Sequence, residues 1–182
     1  MFGDKLTDFI QVYHDVISPA SCKQIIEQYE SHKQYVQEHD TPLYKFHQLD
    51  LNHTPDLQGL AQACVGSLVP CYEQYFKKLG LRQYVNLDTW EDVRIKKYLK
   101  GSGDEFRTHC DVTDHASAAR FAIAILYLND NDGLTTFPNL GVGVKPEAGK
   151  VVIFPPTWMY PHNGKMPMDN DKYIMMTCLH YR

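Results

Sequence analysis

No two cysteines in this chain stand in a C-x-x-C arrangement, and the five present, Cys22, Cys64, Cys71, Cys110 and Cys178, are odd in number. That speaks against a disulfide framework and fits a reducing compartment. A basic leader is also missing: residues 1–15 already mix polar and apolar side chains, so no signal peptide is expected, and no apolar run is long enough to cross a bilayer. The expected location is the cytoplasm. Positive charge is not in excess either, and a formal net charge of -4 argues against nucleic acid as a partner. The one basic cluster, Arg94, Lys96, Lys97 and Lys100, reads as the solvated face of a strand. Internal repeats and low-complexity segments are absent.

With 182 residues the chain suits one domain spanning 1–182, in which 1–90 supply N-terminal strands and supporting helices and 91–182 the core. A short strand is expected within Phe9–Val16. Ser18-Pro19 is an N-cap followed by proline at the first helical position, which opens a helix running to about His32. A second helix is expected over Asp56–Lys78, kinked or interrupted at Pro70 and stopped at Gly80. From Leu87 onward short apolar or alternating runs follow one another: Val93–Ile95, Phe121–Leu128, Thr135–Phe137, Val142–Val144, Val151–Phe154 and Tyr173–Leu179. Gly-Ser-Gly, Asn-Asp-Gly and Pro-Pro separate some of them as turn signals. Many short strands with such turns imply a sandwich or barrel, and helices placed first imply packing outside it. Phe121–Leu128 is apolar on both parities, as a central strand covered on both faces would be.

His109-Cys110-Asp111 places an imidazole and a carboxylate two residues apart. On an extended chain both project to one face, about 6–7 Å apart at the backbone, and can reach one cation. Two histidines and one carboxylate on one side of an octahedron leave open positions, which suits O₂-activating ferrous iron. Alone, however, the triplet is common in a chain with nine histidines and is better described as a surface turn. His162 follows a strand–turn–strand that ends at Pro155-Pro156, and Lys172 lies ten residues beyond it. Lys172 opens a strand with Ile174, Met176 and Cys178 on the same parity. An ammonium on such a face needs an anion, because burying it alone is costly. No carboxylate in the strand supplies one.

Taken together, Tyr98, His109-x-Asp111, Tyr127-Leu128-Asn129, Asp132-Gly133-Leu134-Thr135-Thr136-Phe137-Pro138, Gly149, Phe154-Pro155, His162 and Lys172 resemble the prolyl 4-hydroxylase-like branch of the 2-oxoglutarate/iron(II) oxygenases, in its compact bacterial and phage form. The resemblance runs from about Asp92 to Tyr181. It implies a mainly β fold with N-terminal helices, a double-stranded β-helix (a cupin-like jelly roll). It implies Fe(II) on His109, Asp111 and His162, which would be the catalytic residues. Lys172 would pair with the distal carboxylate of 2-oxoglutarate, with Tyr98, Tyr127 and Thr135 beside that co-substrate. O₂ would be the oxidant and ascorbate the reductant. The expected reaction is hydroxylation of a prolyl residue in a peptide or protein, with a free amino acid or another small molecule as the alternative. A cupin-like metal protein without 2-oxoglutarate chemistry remains a different class, though it would not need Lys172.

Two departures from the family pattern stand out. The usual Gly-Gly before the threonine is Asp132-Gly133, and Cys178 occupies a position where relatives carry tryptophan, which would reshape the pocket floor. Val36–Thr54 could fold over the site as a lid or form an ordinary edge hairpin. His115 reads as an exposed loop residue, Arg120 as a substrate contact or a partner of an acid, and Cys110 as structural. Trp158 and Tyr160 could line an entrance or support their loop.

Overall fold

The computed structural model describes residues 5–84 and 86–181. Among these residues two α-helices and eleven strands follow one another as β1 (Gln11–Tyr13), α1 (Pro19–Ser31), β2 (Gln37–Asp40), β3 (Lys45–Asp50), α2 (Gln58–Leu79), β4 (Arg94–Tyr98), β5 (Phe106–His109), β6 (Arg120–Tyr127), β7 (Thr135–Phe137), β8 (Val142–Val144), β9 (Val151–Phe154), β10 (His162–Gly164) and β11 (Lys172–His180). All pair antiparallel in two sheets, β1-β9-β6-β11-β4-β3-β2 and β5-β10-β7-β8. This is the mainly β jelly roll with N-terminal helices that was expected.

Alternation along the large sheet sorts its side chains between two cores. Ala122, Ala124 and Leu126 of β6 pack with Ile153 and Met175 against the helices, through Cys22, Tyr29, Leu68 and Phe76. Ile123, Ile125 and Tyr127 face the small sheet and meet Phe137, Val144, Val152, Phe154 and Ile174. A strand buried on both faces explains why β6 is apolar at both parities.

The helices follow their local signals. The Ser18 hydroxyl accepts from the Ser21 amide at 3.0 Å, and Pro19 occupies the first turn. Cys22, Ile25 and Tyr29 form the buried stripe of α1. At the end of α2, Gly80 takes the left-handed conformation (φ 68°) that a side chain would resist. Pro70 does not interrupt α2 as expected. It removes a hydrogen bond at a cost of about 3 kcal/mol. On both sides of it, however, Cys64, Leu68, Cys71, Tyr72, Tyr75 and Phe76 are buried, and fully burying one large apolar side chain contributes about 1.5–3 kcal/mol. Tertiary burial outweighs the local penalty.

Two further features bear on the site. Val36–Thr54 contains the edge hairpin of the large sheet, β2 pairing with β3 and β3 with β4. Within β4 the basic cluster is not a solvated face; Lys100, past the end of the strand, is exposed. Lys96 is buried, Lys97 lies between Glu30 (2.9 Å) and Asp171 (3.3 Å), and Arg94 faces Glu91 (3.7 Å) and Asp50 (3.9 Å). The strand is central in its sheet, so its charged side chains are enclosed by α1 on one side and by the sandwich on the other.

Candidate metal centre and its pocket

β5 and β10 are neighbours in the small sheet, with His109 directly opposite His162. Their rings lie 4.4 Å apart at 52°. Asp111 follows the end of β5, where its amide and that of Val112 both donate to Pro156 O, at 3.1 and 3.0 Å. That pairing ties the loop before His162 to the loop after His109. His109 Nε2 comes within 3.5 Å of Asp111 Oδ1, and His162 Nε2 within 3.5 Å of Asp111 Oδ2.

Each imidazole is oriented through its other nitrogen. His109 Nδ1 lies 2.8 Å from Arg107 O, and His162 Nδ1 lies 3.1 Å from Tyr160 O. A carbonyl oxygen only accepts, so Nδ1 carries the proton and Nε2 presents a lone pair. Burial pushes His162 down to about 4, so it is neutral at pH 7. Burial would raise the Asp111 carboxyl, but the facing His109, His162 and Lys96 outweigh it and hold it below its ordinary value. Asp111 Oδ2 is buried and, among the described residues, has no hydrogen-bond partner. Two imidazole lone pairs aimed at a carboxylate repel one another unless a cation lies between them. The donor set, two nitrogens and a carboxylate within 4.8 Å of one another, suits a divalent metal of the iron type.

Aromatic rings fix the histidines. Phe106 stacks on His109 with centroids 3.5 Å apart and planes at 6°. Phe154 meets His162 edge-on at 4.7 Å. Phe106 also contacts Tyr44 and Phe46, so the edge hairpin reaches the metal ligands through one ring.

The same pocket is lined by Tyr98, Thr135, Gly164 and Lys172. Lys172 is 1% exposed, and its ammonium donates to Gly133 O at 2.6 Å and sits 5.2 Å from the Tyr98 ring. Burial alone pushes it down to about 7. Tyr127 is not among the pocket-lining residues; its hydroxyl donates to Thr135 Oγ1 at 2.8 Å. That leaves the Thr135 hydroxyl hydrogen free to donate into the pocket. Burial raises Tyr98 and Tyr127, which stay neutral.

Other residues singled out in the sequence settle into structural roles. Arg120 donates to Asp111 O (2.7 Å) and to Glu91 (2.6 Å), so it pairs with an acid and braces the metal loop. Tyr160 is buried in the sandwich core and Trp158 is 77% exposed, which makes the first a support of its loop. His115 is exposed. Cys178 is buried beyond the pocket lining, its thiol bonded to Ala122 O at 3.3 Å, so it does not form the pocket floor as expected. Asp132 accepts from the Met168 amide at 2.8 Å and braces a turn. Lys96 and Phe106 line the pocket and were missed. The parity of β4, which puts Tyr98 inward, puts Lys96 inward too, and that was the available signal. A larger hollow of about 800 Å³ opens between α1 and α2, remote from these ligands.

Residues 93–180 match the family model of the 2OG-Fe(II) oxygenase superfamily. Over that span the chain belongs to this superfamily. Iron(II) and 2-oxoglutarate are the cofactor and co-substrate that membership implies. No curated protein matches the sequence. Among solved structures, viral collagen prolyl hydroxylase vCPH of Paramecium bursaria Chlorella virus-1, in its 2OG complex, is 16% identical. The match covers 96% of this oxygenase and 97% of that chain, with a TM-score of 0.70. A Pseudomonas putida prolyl-4-hydroxylase is 17% identical over 96% of this chain and 93% of that one, TM-score 0.68. A Trichoplax adhaerens prolyl hydroxylase, solved with a hypoxia inducible factor peptide fragment, is 16% identical over 96% and 84%, TM-score 0.70. At such identities the likeness is one of fold. Among the described residues no helix is long and apolar enough to cross a membrane.

Proposed function

We propose that this oxygenase is a hydroxylase in which His109, Asp111 and His162 hold iron(II). The supporting observation is the convergence of two imidazole lone pairs on one buried carboxylate, His109 on Asp111 Oδ1 and His162 on Oδ2, the latter without a hydrogen-bond partner among the described residues. Lys172 receives the distal carboxylate of 2-oxoglutarate, the anion that its buried ammonium lacks. Thr135 adds a donor whose orientation is set by Tyr127, and Tyr98 forms a wall. Bound iron and 2-oxoglutarate supply oxidative decarboxylation with O₂, yielding succinate, CO₂ and a hydroxylated substrate, with ascorbate as reductant. The chain's own residues orient the ligand atoms, compensate the carboxylate and exclude water from a pocket walled by Phe106, Ile123, Ile125, Ile174 and Met176. The need for an anion at Lys172 favours this over a cupin-like metal protein without 2-oxoglutarate.

A prolyl residue of a peptide is the substrate this reading favours. It has the family resemblance and the peptide-bound structural neighbour behind it. An open edge hairpin close to the metal ligands offers a place for an extended chain. Mass spectrometry of proline-containing peptides incubated with the protein, Fe(II), 2-oxoglutarate and ascorbate tests it. One added oxygen on proline is expected. Turnover of free amino acids with peptides untouched moves the assignment to small molecules.

A further inference from the structure

The pocket holds a second buried lysine that the reading above does not use. Lys96 stands two residues before Tyr98 on the same face of β4, and is 6% exposed. Its backbone partners are Ile174 on β11 and Gln48 on β3. Because Lys172 is opposite Tyr98, the two lysines are diagonal neighbours on one sheet face. The Lys96 ammonium lies 4.2 Å from the centre of the Phe46 ring and 5.1 Å from that of Phe106. Among the described residues it makes no hydrogen bond and no ion pair. Asp111 acts on it only through space. The other cations nearby are satisfied, Arg120 by Glu91 at 2.6 Å and Arg94 by Glu91 at 3.7 Å.

The charge balance of the pocket then indicates what is missing. Among the described residues Asp111 is the one carboxylate lining it, against the ammoniums of Lys96 and Lys172. Iron(II) and 2-oxoglutarate carry opposite double charges and cancel. One positive charge remains, buried between aromatic rings and facing the metal ligands. Burial pushes Lys96 down to about 8, so it is still protonated at pH 7. A buried ammonium of this kind is retained at a cost unless an anion meets it. Both carboxylates of 2-oxoglutarate already have places, one at Lys172 and one on the metal. A dianion would overshoot the balance, and a single ammonium offers no second cation to a phosphate.

We propose that Lys96 is a specificity-determining residue that binds a carboxylate carried by the primary substrate. This rests on the oxygenase reading and narrows its substrate class. The carboxylate belongs either to a free amino or imino acid, or to an acidic residue next to the hydroxylated position of a peptide.

The test uses the full chain with Mn(II) in place of iron and saturating 2-oxoglutarate, so that binding is read without turnover. Calorimetry compares L-proline with L-prolinamide, and an N-acetylated Gly-Pro-Glu amide with its Gly-Pro-Gln counterpart. In one of the two pairs the carboxylate member is expected to bind about tenfold more tightly or better, and which pair it is identifies the source. Lys96→Met should flatten that preference to within about twofold while leaving 2-oxoglutarate affinity within about twofold of wild type. Lys96→Arg should restore part of it, and thermal melts of both variants report folding. Equal binding within both pairs overturns the proposal, as does a preference that survives in Lys96→Met. A loss in that variant that falls on 2-oxoglutarate also overturns it. Failure of the wild type to bind 2-oxoglutarate at all overturns the oxygenase reading as well, which separates the two.

Discussion

Replacing Lys172 with methionine removes one ammonium and keeps nearly the same volume, so two opposite effects can be read from one variant. In the ligand-free chain the ammonium is buried, with Gly133 O at 2.6 Å as its hydrogen-bond acceptor and, among the described residues, no carboxylate paired with it. Burial moves it from 10.5 to about 7. That displacement corresponds to roughly 5 kcal/mol against the charged folded form, an upper bound because the Gly133 carbonyl offsets part of it. The sign follows from proton counts. Between about 7 and 10.5 the unfolded chain holds a proton on Lys172 that the folded chain has lost, so the stability of the ligand-free protein rises with pH across that window. Lys172→Met should remove the Lys172 share of the rise, leaving that of Lys96, and should melt higher than wild type at pH 7. A ligand carboxylate reverses the balance by favouring the ammonium. Wild-type binding of 2-oxoglutarate at pH 8 should therefore take up a substantial fraction of one proton, and affinity should fall as pH rises. Loss of a charge-assisted hydrogen bond is worth about 1.5–3 kcal/mol, so Lys172→Met should bind 2-oxoglutarate roughly ten- to 150-fold more weakly. Calorimetry at pH 8 in buffers of different ionisation enthalpy measures affinity and proton uptake together, and subtracting the variant removes contributions from the histidines. Affinity within about threefold of wild type, or identical proton uptake in the two proteins, would refute the assignment of Lys172.

Two further outcomes test other parts of the structure. His162→Ala should lose the weak visible band formed when Fe(II) and 2-oxoglutarate are added anaerobically, since one of three converging ligands is gone; an unchanged spectrum removes His162 from the centre. Glu30 ties α1 to the sheet through Lys97 (2.9 Å) and Tyr173 (2.6 Å), and pairs locally with Lys33 (2.5 Å). Burial raises it, but these partners outweigh burial and bring it from 4.5 to about 2. Its stabilisation is therefore present above about 4.5 and is lost as pH falls toward 2. Glu30→Gln should lower stability by up to about 3 kcal/mol at pH 7 and by little near pH 2–3. A deficit in urea midpoint that is the same at both pH values would show that packing, not charge, is lost.

Local chemistry was enough to place the helices and most strands. Ser18-Pro19 and Gly80 mark helix ends by backbone requirements that act within a few residues. The double-parity apolar run of β6 can only be a strand covered on both faces, and Lys172 among apolar residues announces a missing anion before any fold is known. The metal centre needed the tertiary structure. β5 and β10 are short and polar, without an apolar rhythm of their own, and it is their pairing that sets His109 opposite His162. Asp111 is aimed by two amides bonded to Pro156 O, a contact between loops 45 residues apart. Pro70 shows the same limit from the other side, since its local penalty is outweighed only by burial along α2. Lys96 is the clearest case. In sequence it is one cation in a basic run, and what separates it from Lys97 is the pleat of a central strand. That pleat turns one ammonium toward Glu30 and Asp171 and the next toward the metal ligands, with two phenyl rings for company and no counter-ion.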